Sequence, residues 1–162
     1  MSTPTRRPEL EITLRLAKMD AARRGHGLAG LEHLLFALLH EDPAVAVLRG
    51  AGADVDRLRG RVDRWLDEEE ASPPADGDEA DEVEAAPTLA FRRVVREAVL
   101  QVIRSGRGEV GGPHVLAALW DEADSFAVHF LEEAGVTRVA VLREISHGGA
   151  ADGAARTGGA RV

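Results

Sequence analysis

The chain has 162 residues, of which 44% are apolar and 4% aromatic, and it contains no cysteine. This length suits one modest domain or two small ones and excludes a large multi-domain enzyme, while the lack of cysteine excludes a disulfide framework, a thiolate zinc site and a cysteine nucleophile. The net charge of −8 is uneven, because residues 67–84 carry ten acidic residues and no basic one, so that the rest of the chain is nearly neutral.

Before the acidic segment, apolar residues recur at the spacing of an amphipathic helix. Positions 10, 14, 17 and 21 are apolar, which predicts a first helix with one buried stripe and a stop at Gly25. The apolar run Leu31–His40 predicts a second helix, and a third is predicted from Pro43 to residue 50. Asp54 can cap a fourth helix that reaches residue 67. Residues 8–67 therefore read as one four-helix unit.

Residues 68–87 interrupt this pattern. The segment is rich in acids, contains Ser72-Pro73-Pro74 and has almost no large apolar side chain. Such a composition buries too little surface to offset the entropy of ordering the chain. We therefore predict an acidic flexible linker that joins two units.

The second half of the chain repeats the first. A shift of 81 residues aligns residues 33–39 with residues 114–120, and after a two-residue insertion Ala51-Gly52 aligns with Ala134-Gly135. This internal repeat of about 60 residues per copy predicts the same four helices over residues 88–148. No alternating strand pattern competes, so the predicted fold is all-α, with two pseudo-symmetric four-helix repeats. Residues 149–162 are rich in Gly and Ala and predict a flexible tail.

Motifs for catalysis are missing from the sequence. There is no G-x-x-x-x-G-K-[ST] loop for nucleotide phosphates and no G-x-S-x-G nucleophile motif. The glycines at 106–112 lie between two predicted helices rather than after a strand, which favours a turn over a phosphate site. We expect no catalytic residue and no cofactor. No apolar run is long enough for a membrane helix, and a cytoplasmic location with no membrane contact is expected.

Histidines and arginines leave two binding alternatives to weigh. His33 and His40 could share a helix face, but a zinc site usually needs three or four convergent ligands, so no metal is expected. His33 and His114 occupy equivalent places in the two copies, which favours packing or capping. The basic residues in and just after the fifth helix could meet nucleic acid, but the nearby acids and the lack of stacking aromatics favour a solvated face or a surface for an acidic partner. That basic set comprises Arg92, Arg93, Arg96, Arg104 and Arg107.

Three strings give the chain a family resemblance. These are Leu31-Glu32-His33-Leu34-Leu35 in the second helix, Pro87-Thr88-Leu89-Ala90-Phe91 after the linker, and Ile145-Ser146-His147-Gly148 at the end of the second unit. Together with the long acidic linker, they resemble the N-terminal double Clp repeat of Clp-type AAA+ unfoldases, and the ClpA branch in particular. The resemblance covers about residues 8–148.

The resemblance implies a docking domain without chemistry of its own. It implies eight helices that capture protein substrates and bind an adaptor, above all a ClpS-type adaptor that delivers N-degron substrates. The tail would lead to ATPase modules, and the protease ClpP would be reached only through the parent ATPase, while the isolated domain is expected to be monomeric. An alternative is a free-standing Clp-repeat protein that sequesters adaptors or substrates.

The resemblance also implies which residues contact the adaptor. By matching position these are Thr88 and Arg93, with Glu32 as a weaker candidate. The alternatives for each remain open: Thr88 could only cap the fifth helix, Arg93 could be solvated, and Glu32 could only favour the helix dipole as a first-turn acid. Gly27 and Gly30 stand where the family commonly has larger or polar residues, which would weaken the adaptor face of the first repeat.

Overall fold

The computed structural model describes residues 5–72, 83–106 and 108–147. Helices dominate these ranges, and the predicted all-α fold of two four-helix repeats is confirmed. The first repeat contains α1 (Pro8–Arg23), α2 (Leu31–Leu38), α3 (Asp42–Gly50) and α4 (Val55–Glu68). The second repeat contains α5 (Leu89–Arg104), α6 (Gly112–Ala118), α7 (Phe126–Glu133) and α8 (residues 138–147). The tail predicted for residues 149–162 lies outside the described residues.

The helix ends follow local sequence signals. The side chain of Asp54 accepts a hydrogen bond of 3.1 Å from the Arg57 amide at the start of α4, and Thr137 does the same for Ala140 in α8. Both repeats use glycine at matching stops, since φ is +80° at Gly25 and the three other positive values fall at Gly52, Gly106 and Gly135. Glycine reaches this left-handed region without the clash that a Cβ causes. The predicted stop at residue 25 is therefore confirmed.

Four two-residue strands, which the sequence did not predict, connect the repeats. They are β1 (Thr5–Arg6), β2 (Leu28–Ala29), β3 (Ala86–Pro87) and β4 (Glu109–Val110). β1 pairs in parallel with β4, and β2 pairs in parallel with β3. The segment that leads into the first helix of each repeat therefore pairs with a loop of the other repeat, and the shift of 81 residues maps one pair onto the other.

One continuous apolar core spans both repeats. It includes fully buried leucines of α2, such as Leu34 and Leu35, together with Phe130 of α7 and Val62 of α4. Burial of one such side chain contributes about 2 kcal/mol to folding. The two repeats are thus packed as a single unit rather than tethered side by side.

The described ends of the acidic segment are ordered, which corrects part of the linker prediction. The Ser72 amide donates to the Gly25 carbonyl at 2.9 Å, and the Ser72 hydroxyl accepts from the Gly27 amide at 2.8 Å. At the other end, the Ala85 amide donates to the Lys18 carbonyl at 3.0 Å, and Ala85 is buried. The flexible linker predicted for residues 68–87 therefore does not include these two ends, because backbone hydrogen bonds hold them against the first repeat. The intervening residues 73–82 lie outside the described part.

Candidate functional site

A surface depression joins the two repeats beside the start of α5, and we call it the inter-repeat pocket. Its first-repeat wall is formed by residues 30–32, and its second-repeat wall by Thr88, Ala90 and the turn 121–125. The pocket has a volume of about 470 Å³. Glu32 and Thr88 line it directly, and Arg93 is paired with Glu122 in its wall. The fold therefore brings all three predicted adaptor residues to one place.

Thr88 connects the repeats at the base of this pocket. It is the N-cap of α5, where its hydroxyl accepts a hydrogen bond of 3.1 Å from the Phe91 amide. Its own amide donates to the Ala29 carbonyl of the first repeat at 2.9 Å. The capping role that the sequence left open is thus present, and contact with an adaptor stays a prediction.

Arg93 is exposed at the rim of the pocket and held in one orientation. Its guanidinium donates two hydrogen bonds to the Glu122 carboxylate, at 3.1 Å and 2.8 Å. These bonds lower the pKa of Glu122 and raise the pKa of Arg93. A bidentate pair of this kind fixes the plane of the guanidinium. Its outer face is therefore presented to solvent in a defined geometry.

Glu32 reaches from α2 across to the start of α7. Its carboxylate accepts a hydrogen bond of 3.2 Å from the Ala127 amide of the second repeat. Burial raises the pKa of Glu32, and the backbone donors oppose this effect because they favour the charged form. As predicted, Glu32 lies in the first turn of α2. It also satisfies an amide of α7, so it joins the repeats as well as lining the pocket.

Glu41 is a buried carboxylate that the sequence analysis missed. Its side chain accepts a hydrogen bond of 2.6 Å from the Thr13 hydroxyl and lies directly over Gly112, the first residue of α6. Burial raises its pKa, and the hydrogen bond from Thr13 opposes the shift. The shift of 81 residues aligns it with Glu122, which is paired with Arg93 instead. That alignment was the available signal, but it could not reveal which of the two glutamates is buried.

His33 and His114 each accept a hydrogen bond at the start of a helix, and His33 is also bonded to His26. The ring of His33 accepts at Nδ1 from the Gly30 amide at 3.0 Å, and His114 accepts equivalently from the Gly111 amide at 2.9 Å. Both residues therefore cap their helices, which is one of the two structural roles that the sequence left open. Because His33 Nδ1 is an acceptor, its Nε2 carries the proton and donates to His26 Nδ1 at 2.8 Å. Burial lowers the pKa of His33 to about 4.

Three further expectations are addressed by the described residues. Within the ranges that the structure describes, no group of three or more His, Asp or Glu side chains could hold a metal ion. The described helices also include none that is long and apolar enough to cross a membrane. The predicted basic set of α5 does not form one free face, since Arg93 pairs with Glu122 and Arg104 with Glu97. Arg107 lies outside the described residues.

Comparison with known sequences and structures gives one consistent result. The family model for the Clp repeat N-terminal domain matches residues 7–134. A ClpA homolog protein from Fuscovulum blasticum is 37% identical over 143 residues, which cover 88% of this chain and 18% of that relative. A Clp protease ATP-binding subunit of Chlamydia pneumoniae is 31% identical over 136 residues, or 82% of this chain and 15% of the relative. The chain thus spans less than a fifth of these curated relatives.

Two of the solved structures that share this fold are N-terminal domains. The Hsp104 N-terminal domain from Candida albicans aligns with a TM-score of 0.70 at 18% identity and covers 88% of this chain and 89% of that one. A ClpV N-domain, solved in complex with a VipB peptide, aligns with a TM-score of 0.61 at 21% identity and covers 89% and 97% of the two chains. At these identities, the likeness establishes the fold.

Proposed function

Because the chain belongs to the Clp repeat N-terminal domain family, we propose that it is the adaptor- and substrate-docking domain of a ClpA-type subunit of an ATP-dependent Clp protease. Its adaptor is of the ClpS type, and the delivered cargo is N-degron substrates. The domain itself is non-catalytic and acts in the cytoplasm. It raises the local concentration of substrate near a pore, which requires binding energy and a tether but no reacting group.

The observation that carries this proposal is the convergence of Glu32, Thr88 and Arg93 on the inter-repeat pocket. Each of them also holds a bond that fixes the pocket wall: Glu32 to Ala127, Thr88 to the first repeat, and Arg93 to Glu122. A pocket whose walls are fixed before binding loses little conformational entropy when a partner docks. The site is therefore suited to recognition of a folded adaptor.

The charges of the pocket define what the adaptor surface should offer. Acidic side chains dominate the lining, and only part of their charge is compensated within the domain. Arg93 compensates Glu122 at 2.8 Å, and Arg138 approaches Asp121 at 3.6 Å, whereas Asp124 has no ion-pair partner among the described residues. The adaptor face should therefore bring Lys or Arg side chains or backbone amides to this pocket.

A calorimetric titration with a ClpS-type adaptor tests the proposal. Ala123→Arg is the decisive variant, because Ala123 is exposed in the turn that lines the pocket and its substitution fills the site without removing a described contact. The matched control is Ala46→Arg, which adds the same side chain at an exposed position of α3. We expect one-to-one binding by the wild type and the control, and loss of binding by Ala123→Arg.

A second pair of variants tests the chemistry of the contact. Arg93→Ala should weaken binding of the adaptor, because it removes the guanidinium that is presented at the rim of the pocket. Arg96→Ala, one helical turn further along the exposed face of α5, should leave binding unchanged. Wild-type affinity in Ala123→Arg would remove the adaptor from this pocket. Failure of the wild type to bind would leave the fold unchanged and reject the ClpS-type partner.

A further inference from the structure

A second cleft lies between α4 and α7, on a surface separate from the inter-repeat pocket, and we call it the α4–α7 cleft. It has a volume of about 700 Å³. It is lined by three arginines of α4 and by the C-terminal half of α7, including Phe130 and Glu133. Gly60 leaves its floor open, since a Cβ added there would meet no atom within 4 Å. The arginines of this cleft are Arg57, Arg61 and Arg64.

Of these three arginines, only Arg61 has a side-chain partner among the described residues. Arg61 lies over the Phe130 ring at 4.9 Å and donates to Glu133 at 3.1 Å. The guanidinium groups of Arg57 and Arg64 have no hydrogen-bond or ion-pair partner among the described residues. Arg57 and Arg64, which are unpaired among the described residues, therefore lie on either side of Arg61, whose charge Glu133 compensates.

The acidic side chains of the cleft do not compensate these two arginines. Asp54 caps the start of α4, and Asp56 pairs with Arg59 at 3.0 Å, while Glu133 is shared by Arg61 and His129. Each acid is thus held by a donor other than the two free guanidiniums. The lining itself has three arginines against three acids, and Arg59, the partner of Asp56, adds a fourth cation, so that one net positive charge remains to attract an anionic group.

The second repeat provides an internal control for what the fold itself requires. At the shift of 83 residues, the three arginines correspond to Ala140, Glu144 and His147 of α8. The equivalent cleft beside α3 is closed, because Glu144 packs onto Gly50 so tightly that an added Cβ would overlap its carboxylate. The same helix pair therefore folds without arginines and without a cleft, so the fold alone does not account for Arg57 and Arg64.

We propose that the α4–α7 cleft is a second docking surface, which binds an extended acidic segment of a partner protein. The spacing of the two free arginines sets the length of the ligand motif. Arg57 and Arg64 are seven residues apart in α4, which places them about 10 Å apart on the same helix face. Acidic residues three apart in a polyproline II segment lie on one face at about 9 Å. The recognised pattern is an acidic residue at every third position, and Arg61, which covers the buried Phe130 ring, lies between the two charge contacts.

Fluorescence anisotropy with a defined probe tests this surface. The probe is a labelled peptide of repeated Glu-Pro-Pro triplets, and a Gln-Pro-Pro peptide is its uncharged match. We expect the domain to bind the acidic probe and not its match, with affinity that falls as salt rises. Arg57→Gln combined with Arg64→Gln should weaken binding about tenfold, because exposed ion pairs each contribute about a factor of two to five.

Control variants distinguish binding in the cleft from an effect of overall charge, and a control ligand distinguishes an acidic peptide from nucleic acid. Arg49→Gln combined with Arg143→Gln makes the same change in net charge at exposed positions outside the cleft and should keep wild-type affinity. The proposal is overturned if the wild type does not bind the acidic probe at low salt, or if the two double variants lose affinity equally. It is also overturned if single-stranded DNA binds as tightly through the same two arginines.

Discussion

Between pH 7 and pH 5, acid should destabilise this domain mainly through His33. Its pKa is about 4 in the folded chain against an ordinary value of 6.5, because burial disfavours the imidazolium. As the pH falls below 6.5, the unfolded chain binds the proton first, and the free energy of unfolding decreases until the folded pKa is reached. At 1.36 kcal/mol per pKa unit, the full loss is about 3 kcal/mol, of which about 2 kcal/mol is lost by pH 5.

Two carboxylates, the half-buried Glu32 and the buried Glu41, act in the opposite direction and have to be separated from this effect, whereas the lowered pKa of Glu122 matters only below its ordinary value of 4.5. The pKa values of Glu32 and Glu41 are raised by burial, so the folded chain takes up their protons before the unfolded chain does. Their titration adds stability as the pH falls. The contribution of His33 must therefore be measured as a difference between proteins rather than as the slope of one protein.

His33→Gln provides that comparison, because Gln at the third helical position can still accept the Gly30 amide but does not titrate. Urea unfolding at pH 7 and pH 5 should show that the variant loses about 2 kcal/mol less than the wild type between the two values. His40→Gln, at an exposed ring just after the same helix, should behave as the wild type does. If His33→Gln shows the wild-type acid sensitivity, the hydrogen-bonded His26–His33 pair does not control it.

Three further changes test the architecture by urea or thermal unfolding. Thr88→Ala should lower the free energy of unfolding by about 1 kcal/mol through the lost cap, whereas Thr88→Ser should retain most of it. Gly112→Ala should destabilise by about 2 kcal/mol, because its Cβ would overlap the buried carboxylate above it, while Gly60→Ala in an open stretch of α4 should stabilise by about 1 kcal/mol. Ala85→Asp should destabilise the domain by about 2 kcal/mol or more, because it buries a charge, whereas Ala71→Asp at an exposed position should have little effect. Equal effects of the two variants would mean that residues 83–87 do not pack as described.

The sequence predicted what local chemistry determines. A cap such as Asp54, a stop such as Gly25 and the spacing of apolar residues act within a few positions, so the order of the helices and the repeat could be read directly. α2 ends at Leu38 rather than His40, because the chain turns there into α3. Differences of this size are usual at helix ends.

Contacts between the repeats could not be read in the same way. The two-residue strands have no sequence pattern of their own, since they form only where one repeat meets the other. Residues 83–87 are ordered for the same reason. They have the composition of a linker, but β3 within them pairs with β2 of the first repeat. The bond from Glu32 to α7 and the burial of Glu41 likewise depend on how two helix starts meet in space. The sequence therefore indicated the three residues of the pocket only through a family resemblance.

The two repeats share a backbone, and their differences mark the surfaces available for recognition. The scaffold is kept where both copies agree, as with the capping histidines and the exchanged leading segments. Glu32, by contrast, aligns with Pro113, Arg93 with Ile12, and Arg61 with Glu144. Because the aligned partner occupies the same fold, the fold alone cannot require the charged residue at these positions. Both proposed docking surfaces lie at such positions, which is the physical reason to seek the partners of this domain there.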